Sequence, residues 1–226
     1  GLGTSSSIMV GLINCIYRYL NLKFDKEKII KDAYKIEREI CGLKGGWQDQ
    51  IISTYGGVQL ININKNGKFK VNSVKLKKNK INQIENNLFL IFSNVKRNSS
   101  TVIQSQIRNK NKIIEKYDNL KKLNLEMIDF LKNDKNNNLG YIFDTHWNIK
   151  RNLSNEISSN KLDKIYLECK KIFDGGKLIG AGGGGFFLMY SKNPTLALKK
   201  LKKSELGFHQ FKIDHFGTRI INDRII

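Results

Sequence analysis

The sequence is poor in the residues that build disulfide frameworks and zinc sites. Its 226 residues include three cysteines and three histidines. Cys15, Cys41 and Cys169 are widely spaced and lie in apolar helical patterns, which is typical of unpaired core residues in a reducing compartment. The histidines lack the i, i+4 spacing with which two ligands on one helix hold zinc. We therefore expect no disulfide, no zinc site and a cytoplasmic protein.

Long apolar runs are also missing. The longest, Leu88–Phe92 and Phe186–Tyr190, are far too short to cross a bilayer, and neither end of the chain resembles a signal peptide. Proline occurs once, at Pro194, where it is suited to open a helix that continues to Leu201. The sequence therefore predicts no membrane-spanning helix.

Acidic residues are half as numerous as basic ones, 20 against 40, and the formal net charge is +20. A positive field of this size suits polyanionic partners such as nucleic acid or a membrane surface. The alternative is a compositional bias, because lysine, asparagine and isoleucine crowd together throughout, as in residues 62–66. The basic residues are spread along the chain and form no stripe with interleaved aromatics. This favours the bias: we expect no membrane partner, and nucleic-acid binding is the weaker hypothesis.

Helical periodicity is clear near the start of the chain. Asp25 is the predicted N-cap of a second helix, which Gly42 ends. The predicted apolar positions are Ile8, Leu12, Ile16 and Tyr19 in the first helix, and Ile29, Ala33, Ile36 and Ile40 in the second. Further helices are predicted at 101–131, with a break near Asn119, and at 162–173, with a polar turn at 133–138.

Strand patterns alternate with these helices in blocks. Residues 58–63 and 69–74 alternate apolar and polar side chains around Asn66-Gly67, which is a strong hairpin signal. Further strands are predicted at 88–93, 186–190, 208–213 and 216–221. Because the order is not a regular βαβ alternation, the pattern predicts an α+β fold.

Two acids, Glu37 and Glu39, fall in the last turn of the second helix. The negative end of the helix dipole disfavours carboxylates there. Their position indicates either a nearby cation or a solvated helix end, and the pattern alone leaves both open.

Glycine is concentrated in three segments that have the chemistry of one site. Gly1–Ser7 combines glycines with hydroxyls that can cap the following helix, whose free N–H groups and positive dipole end suit an anion. Residues 45–50, Gly-Gly-Trp-Gln-Asp-Gln, place a carboxylate after a flexible turn, although a surface turn would read the same way. Gly180–Gly185 runs directly into an apolar strand, which favours close backbone approach to phosphates or to the first segment over a flexible linker.

Taken together, these segments resemble the motifs of the GHMP small-molecule kinases. The opening residues 1–6 are similar to the nucleotide loop of that family, with Thr4 in place of its first serine. Glu37, Asp49 and the run from Gly180 to Gly185 match its other motifs. Residues 37–57, 146–158, 175–182 and 216–220 resemble the heptose 7-phosphate kinase branch, in which lysine is expected where this chain has Trp47.

The resemblance implies an α+β fold of two lobes. Residues 1–75 would be the remainder of a ribosomal-protein-S5-like N-terminal lobe, and residues 76–226 a ferredoxin-like C-terminal lobe. Because the family carries a strand and a further motif before the nucleotide loop, we expect the chain to be truncated at its N-terminus. The resemblance gives no oligomeric state.

The activity implied is transfer of the ATP γ-phosphoryl group to the anomeric C1 hydroxyl of a sugar, with Mg²⁺ as the metal. The first choice of acceptor is D-glycero-D-manno-heptose 7-phosphate, and the alternatives within the family are L-fucose and galactose. An inactive fragment or a basic nucleic-acid-binding protein is the alternative of another class.

The same resemblance assigns roles to individual residues. Asp49 would be the catalytic base, and Ser5 and Glu37 would ligate Mg²⁺. The residues expected to bind ATP are Gly1, Leu2, Gly3, Thr4, Ser5, Ser6, Gly182, Gly183, Gly184 and Gly185. Those expected to contact the sugar phosphate are Gly46, Gln48, Lys150 and Arg151, with Lys44 as a further candidate cation.

Overall fold

The computed structural model describes residues 2–96, 99–108, 113–133 and 139–221. Contacts divide them into two compact units. The N-terminal unit consists of residues 3–75 together with the segment from residue 213 onward, and the C-terminal unit consists mainly of residues 76–212. Each unit contains helices and a separate antiparallel sheet, which confirms the predicted α+β class.

The N-terminal unit is built from three helices and a hairpin. Its elements are α1 (Thr4–Tyr19), α2 (Lys26–Tyr34), a π-helical turn (Lys35–Ile40), α3 (Gln48–Tyr55), β1 (Gln59–Ile63) and β2 (Phe69–Ser73). The predicted cap of α2 is confirmed, because the Lys28 amide donates to Asp25 Oδ1 at 2.7 Å. The predicted hairpin is confirmed as well, with Ile61 opposite Val71 and Gly67 at a positive φ of 79° in the turn.

The core of this unit uses a different face of α1 from the predicted one. Val10 and Ile13 pack against Ile29 and Ala33, two of the positions predicted for α2. The predicted stripe is exposed, with Ile8 at 65%, Leu12 at 52%, Ile16 at 44% and Tyr19 at 72%, and Ile40 of the second helix is exposed too. The buried face also carries Ser6 and Asn14, each hydrogen bonded to a distant residue of the unit.

The segment from residue 213 packs on the end of α3 as a loop. The Gly57 amide donates to the Asp214 carbonyl at 2.6 Å, and the Thr218 amide donates to the Ser53 carbonyl at 2.9 Å. Among the described residues 210–221 there is no strand, so the strand predicted at 216–221 is wrong. A Cβ on Gly56 would lie 2.2 Å from the amide nitrogen of Gly217, so the loop contacts the backbone of α3's end directly. The alternation of side chains in the sequence does not reveal such a contact.

The C-terminal unit surrounds a four-stranded antiparallel sheet. Its strands are β3 (Leu88–Phe92), β4 (Gly175–Leu178), β5 (Phe186–Tyr190) and β6 (Phe208–His209), in the order β4-β5-β3-β6. Its helices are α4 (Lys78–Asn87), α5 (Ser99–Arg108), α6 (Ile114–Lys132), α7 (Leu139–Lys150), α8 (Asn160–Lys170) and α9 (Pro194–Leu201). Apolar residues from the sheet and the helices, among them Phe89, Trp147 and Phe187, form one core.

The predicted long helix at 101–131 is two helices. α5 ends at Arg108 and α6 begins at Ile114, well before the predicted break at Asn119. The turn predicted at 133–138 lies outside the described residues except for Asn133. The strand predicted at 208–213 is shorter, since β6 pairs with β3 only through Phe208 and His209. No helix in the described part of the chain is long and apolar enough to cross a membrane.

β4 was not predicted, because two glycines open it and glycine disfavours strands. Its place in the sheet depends on them. A Cβ on Gly175 would lie 2.0 Å from the carbonyl oxygen of Gly140 on α7, so the backbones of the helix and the strand are in direct contact. The close approach of α7 to β4 therefore requires glycine at position 175.

We expect Gly175→Ala to lower the free energy of unfolding by about 3 kcal/mol, because the new methyl group must push α7 from β4. Gly11→Ala is the control, since a Cβ at Gly11 in α1 meets nothing within 4 Å and alanine favours a helix. Urea unfolding followed by circular dichroism measures both variants. Equal stability of the Gly175→Ala variant and the parent chain would contradict the close approach.

Candidate active site

The opening segment, rich in glycine and hydroxyl side chains, leads into α1, which begins at Thr4. Gly3 is the N-cap residue, in the left-handed region with a φ of 70°, and no side chain caps the helix. The predicted hydroxyl cap is therefore wrong, and Ser7 Oγ instead donates to the Gly3 carbonyl at 3.2 Å. An uncapped helix start leaves backbone N–H groups and the positive dipole end for an anion. Leu2 is exposed, and Gly1 lies outside the described residues.

A buried carboxylate lies beside this helix start. Glu37 is 2% exposed, and its two oxygens have different partners. Oε1 accepts a hydrogen bond from Ser5 Oγ at 2.6 Å, whereas Oε2 accepts one from Ser6 Oγ at 2.8 Å and another from Gln50 Nε2. Ser6 and Gln50 are themselves buried, while Ser5 is exposed. One oxygen is thus anchored inside the unit and the other faces the exposed hydroxyl.

These partners decide the charge of Glu37. Burial alone would raise its pKa, but the hydrogen bonds from Ser5, Ser6 and Gln50, with the positive charge of Arg38, outweigh burial and hold the pKa of Glu37 below its ordinary value. The carboxylate is therefore ionised near neutral pH. The interpretation of a solvated helix end is wrong for Glu37, although it holds for the exposed Glu39.

The π-helical turn places Glu37 in this position. The Cys41 amide donates to the carbonyl of Ile36 at 2.8 Å, a bond across five residues instead of four. Such turns widen a helix locally and are frequent at functional sites. The turn carries Arg38 toward the glycine loop, where a Cβ on Gly45 would lie 2.7 Å from the guanidinium carbon.

Asp49 comes close to the opening segment from the other side. It is the second residue of α3, is half-buried, and its Cγ would be 3.3 Å from a Cβ on Gly3. Trp47 precedes it and stacks on Tyr34 with ring centroids 3.6 Å apart, while Phe69 of the hairpin approaches the same indole at 5.2 Å. These two ring contacts hold the indole at the N-terminal end of α3.

The stretch of chain that carries these residues matches a known family. The family model of the GHMP kinases N terminal domain matches residues 1–57, the stretch that contains the Ser5–Glu37 pair and Asp49. D-glycero-alpha-D-manno-heptose 7-phosphate kinase from Campylobacter jejuni is 32% identical over 226 residues, which is 97% of this chain and 66% of that protein. The chain belongs to the GHMP kinase family.

Solved GHMP kinase structures share the fold. Mevalonate kinase of Methanococcus jannaschii matches with a TM-score of 0.67 and 26% identity, covering 94% of this chain and 64% of that one. A D-glycero-D-manno-heptose 1-phosphate kinase from Bacteroides thetaiotaomicron matches with a TM-score of 0.68 and 22% identity, covering 96% and 62%. The chain thus spans somewhat less than two thirds of the length of these relatives.

The third GHMP segment belongs to the C-terminal unit. The Gly183 amide donates to the carbonyl of Ile157 at 2.8 Å, and a Cβ on Gly184 would lie 2.2 Å from the carbonyl oxygen of Val95. The Gly185 carbonyl accepts hydrogen bonds from the amide and hydroxyl of Ser93. Close backbone contacts within the C-terminal unit therefore account for glycine in this segment. Its predicted contact with ATP phosphates stays a prediction.

Some of the predicted substrate residues are exposed, and the others bond to residues of the chain itself. Lys44 and Gly46 are exposed on the loop before α3, and Gln48 is exposed as the first residue of that helix. Lys150 donates to the carbonyl of Gly180 and, at 3.4 Å, to that of Leu178. Arg151 forms an ion pair with Asp163. Lys150 and Arg151 thus have partners within the C-terminal unit.

Sequence reasoning did not assign an anchoring role to Ser6 or any role to Gln50. Gln50 follows Asp49 on α3, and successive helical residues point about 100° apart. One side chain therefore faces Gly3 while the next reaches Glu37. The sequence does show an amide directly after the predicted base. A glutamine in a glycine-rich turn is common, however, and its presence alone does not indicate a functional role.

Proposed function

We propose that this chain is an ATP-dependent sugar kinase that transfers the γ-phosphoryl group to the anomeric C1 hydroxyl of D-glycero-D-manno-heptose 7-phosphate. The observation that carries the proposal is the ionised Glu37 carboxylate, held by Ser6 and Gln50 at the uncapped start of α1 with one oxygen directed to Ser5. The similarity to a heptose 7-phosphate kinase supports the choice of acceptor.

The donor set around Glu37 fits Mg²⁺. Magnesium prefers few protein oxygens, typically one or two carboxylates, and keeps water and phosphate oxygens as its other ligands. The described residues contain no group of three or more histidine, cysteine or acidic side chains that could hold a metal. Glu37 Oε1 and Ser5 Oγ, 2.6 Å apart, supply two suitable oxygens. Bound there, Mg²⁺ would neutralise charge on the transferring phosphoryl group.

Phosphate binding falls to the start of α1. Leu2, Gly3, Thr4, Ser5 and Ser6 form a helix start without a side-chain cap, so that backbone N–H groups can donate to the phosphate oxygens of ATP. Catalysis of phosphoryl transfer consists mostly of positioning and charge stabilisation, so a few donors suffice. Gly182, Gly183, Gly184 and Gly185 are the further proposed ATP-binding residues.

Asp49 is the proposed base for the acceptor hydroxyl. It lies in the first turn of α3, and Gly3 leaves room for its side chain next to the phosphate-binding helix start. Trp47, at the N-cap position of α3 two positions before Asp49, stacks on Tyr34. Gly46 and Gln48, exposed on either side of Trp47, are the proposed sugar contacts.

An acceptor panel tests the proposal. We expect ADP release with heptose 7-phosphate to exceed that with galactose, L-fucose or mevalonate by at least about tenfold in kcat/KM, because the favoured acceptor carries an additional phosphate for charge-assisted contacts. A coupled assay for ADP measures turnover, and the position of the new phosphate is read by phosphorus NMR. Preference for mevalonate, or phosphate on a hydroxyl other than C1, would contradict the proposed reaction.

A further inference from the structure

Basic side chains of α7 and β4 lie close together on one face of α7. Phe143, His146 and Lys150 are spaced by three and four residues and therefore lie on the same side of the helix. Lys150 reaches the carbonyls of Leu178 and Gly180, just beyond the strand. From β4 itself, the Lys177 ammonium lies 5.3 Å from the centre of the Phe143 ring. His146, Lys150 and Lys177 thus form a cluster, called here the α7–β4 basic cluster.

Lys177 and His146 are not balanced by acids. Burial lowers the pKa of Lys177 to about 8. Burial, followed by repulsion from Lys177 and Lys150, lowers the pKa of His146 to about 3. His146 Nδ1 is buried without a hydrogen-bond partner, and among the described residues Lys177 forms no ion pair. Both residues are half-buried as a whole.

The neighbouring carboxylates are already committed. Asp144 accepts hydrogen bonds from Tyr166, Lys170 and the Gly176 amide. Asp163 pairs with Arg151, and Asp174 accepts from the Lys192 amide. A positive charge placed out of water with no partner costs several kcal/mol, so such groups are normally paired or replaced. These three carboxylates have other partners, and within the part of the chain that the structure describes no ion pair forms with Lys177.

We propose that Lys177 and His146 form an oxyanion subsite of the C-terminal unit that binds a phosphomonoester group. A phosphate accepts charge-assisted hydrogen bonds from the ammonium and a hydrogen bond from the imidazole, which supplies the two missing partners at once. Lys150 has a positioning role, because its bonds to the carbonyls of Leu178 and Gly180 hold the end of β4 against α7. The subsite stands on these contacts alone and does not depend on the proposed reaction.

Proton NMR of the His146 imidazole tests the subsite by direct binding. The chain has only three histidines, so the resonance is assigned by its loss in His146→Gln. We expect inorganic phosphate to shift this resonance in a saturable way. In Lys177→Met the dissociation constant for phosphate should rise about tenfold, and Lys177→Arg, which keeps the charge, should retain binding. Lys199→Met removes an exposed lysine of the same unit and should change nothing.

Additional ligands identify the source of the phosphate. A sugar phosphate that shifts His146 where its parent sugar does not would assign a phosphorylated acceptor, and a shift with ATP alone would assign the nucleotide; either supports the subsite. No saturable shift with any of these ligands, or equal shifts in the parent chain and Lys177→Met, would overturn it. Folding is monitored by urea unfolding. A purely structural Lys177 would lower stability on substitution by methionine without changing phosphate binding.

Discussion

Asp49→Asn is expected to lower phosphoryl transfer about 10³-fold while leaving ATP affinity nearly unchanged. The amide keeps the shape of the side chain in the first turn of α3, next to Gly3, but it cannot accept the proton of the acceptor hydroxyl. ATP is bound by other groups in the proposal, so its dissociation constant should stay within about twofold. Steady-state turnover and calorimetric titration with ATP measure the two quantities separately.

The control for this substitution is Asp118→Asn, which removes an exposed acid on α6, far from Asp49 in the sequence. It should leave both turnover and ATP affinity unchanged. Turnover of Asp49→Asn equal to that of the parent chain would remove Asp49 from its proposed role. A parallel loss of ATP binding would show that the residue supports the phosphate-binding segment rather than the chemistry.

Glu37→Gln is expected to raise the Mg²⁺ concentration for half-maximal turnover by at least about tenfold and to lower turnover at fixed Mg²⁺ on the order of 10³-fold. Among the described residues, Glu37 is the acidic group that bonds to Ser5, and an amide oxygen is a weaker magnesium ligand. The substitution also leaves the donors Ser6 and Gln50 facing a side chain with only one acceptor oxygen. The free energy of unfolding should fall by about 1–3 kcal/mol.

Glu39→Gln is the matched control, because Glu37 and Glu39 lie on the same π-helical turn but Glu39 is exposed. Its Mg²⁺ requirement and stability should equal those of the parent chain. Circular dichroism at the assay temperature shows that Glu37→Gln remains folded before its kinetics are compared. An unchanged Mg²⁺ requirement in Glu37→Gln would refute the ligand assignment, whatever its stability.

Local sequence signals predicted those parts of the fold that local chemistry decides. The Asn66-Gly67 turn set the hairpin, because Gly67 adopts the positive φ that such turns require. Asp25 capped α2 through its own side chain. The pairing of Ser5 with Glu37 was also anticipated as a shared metal site, and the two side chains are in contact.

Choices between equivalent faces could not be made from the sequence. α1 carries an apolar stripe at Ile8, Leu12 and Ile16 and another at Val10 and Ile13, and periodicity does not rank them. Contacts across the chain do: Ser6 bonds to Glu37, and Asn14 bonds to Thr218, 204 positions away. The second stripe shares its face of α1 with these two polar residues, and that face is the buried one.

Features that depend on backbone contact were equally hidden. β4 begins with Gly175 because α7 allows no side chain there, which contradicts strand propensity. The roles of Gln50 and Lys177 depend on which residues surround them after folding, and neither is distinctive as a residue type. The sequence therefore indicated that Ser5 and Glu37 belong together, but it did not indicate the residues that surround them.

The two tryptophans fall one in each unit, and this has an optical consequence. Trp147 is completely buried in the core of the C-terminal unit, whereas Trp47 is half-buried and stacked on Tyr34 in the N-terminal unit. An indole in an apolar core emits at shorter wavelength than one in contact with water. The blue and red edges of the emission spectrum therefore report on different units, and a single fluorescence trace can show whether they lose structure together.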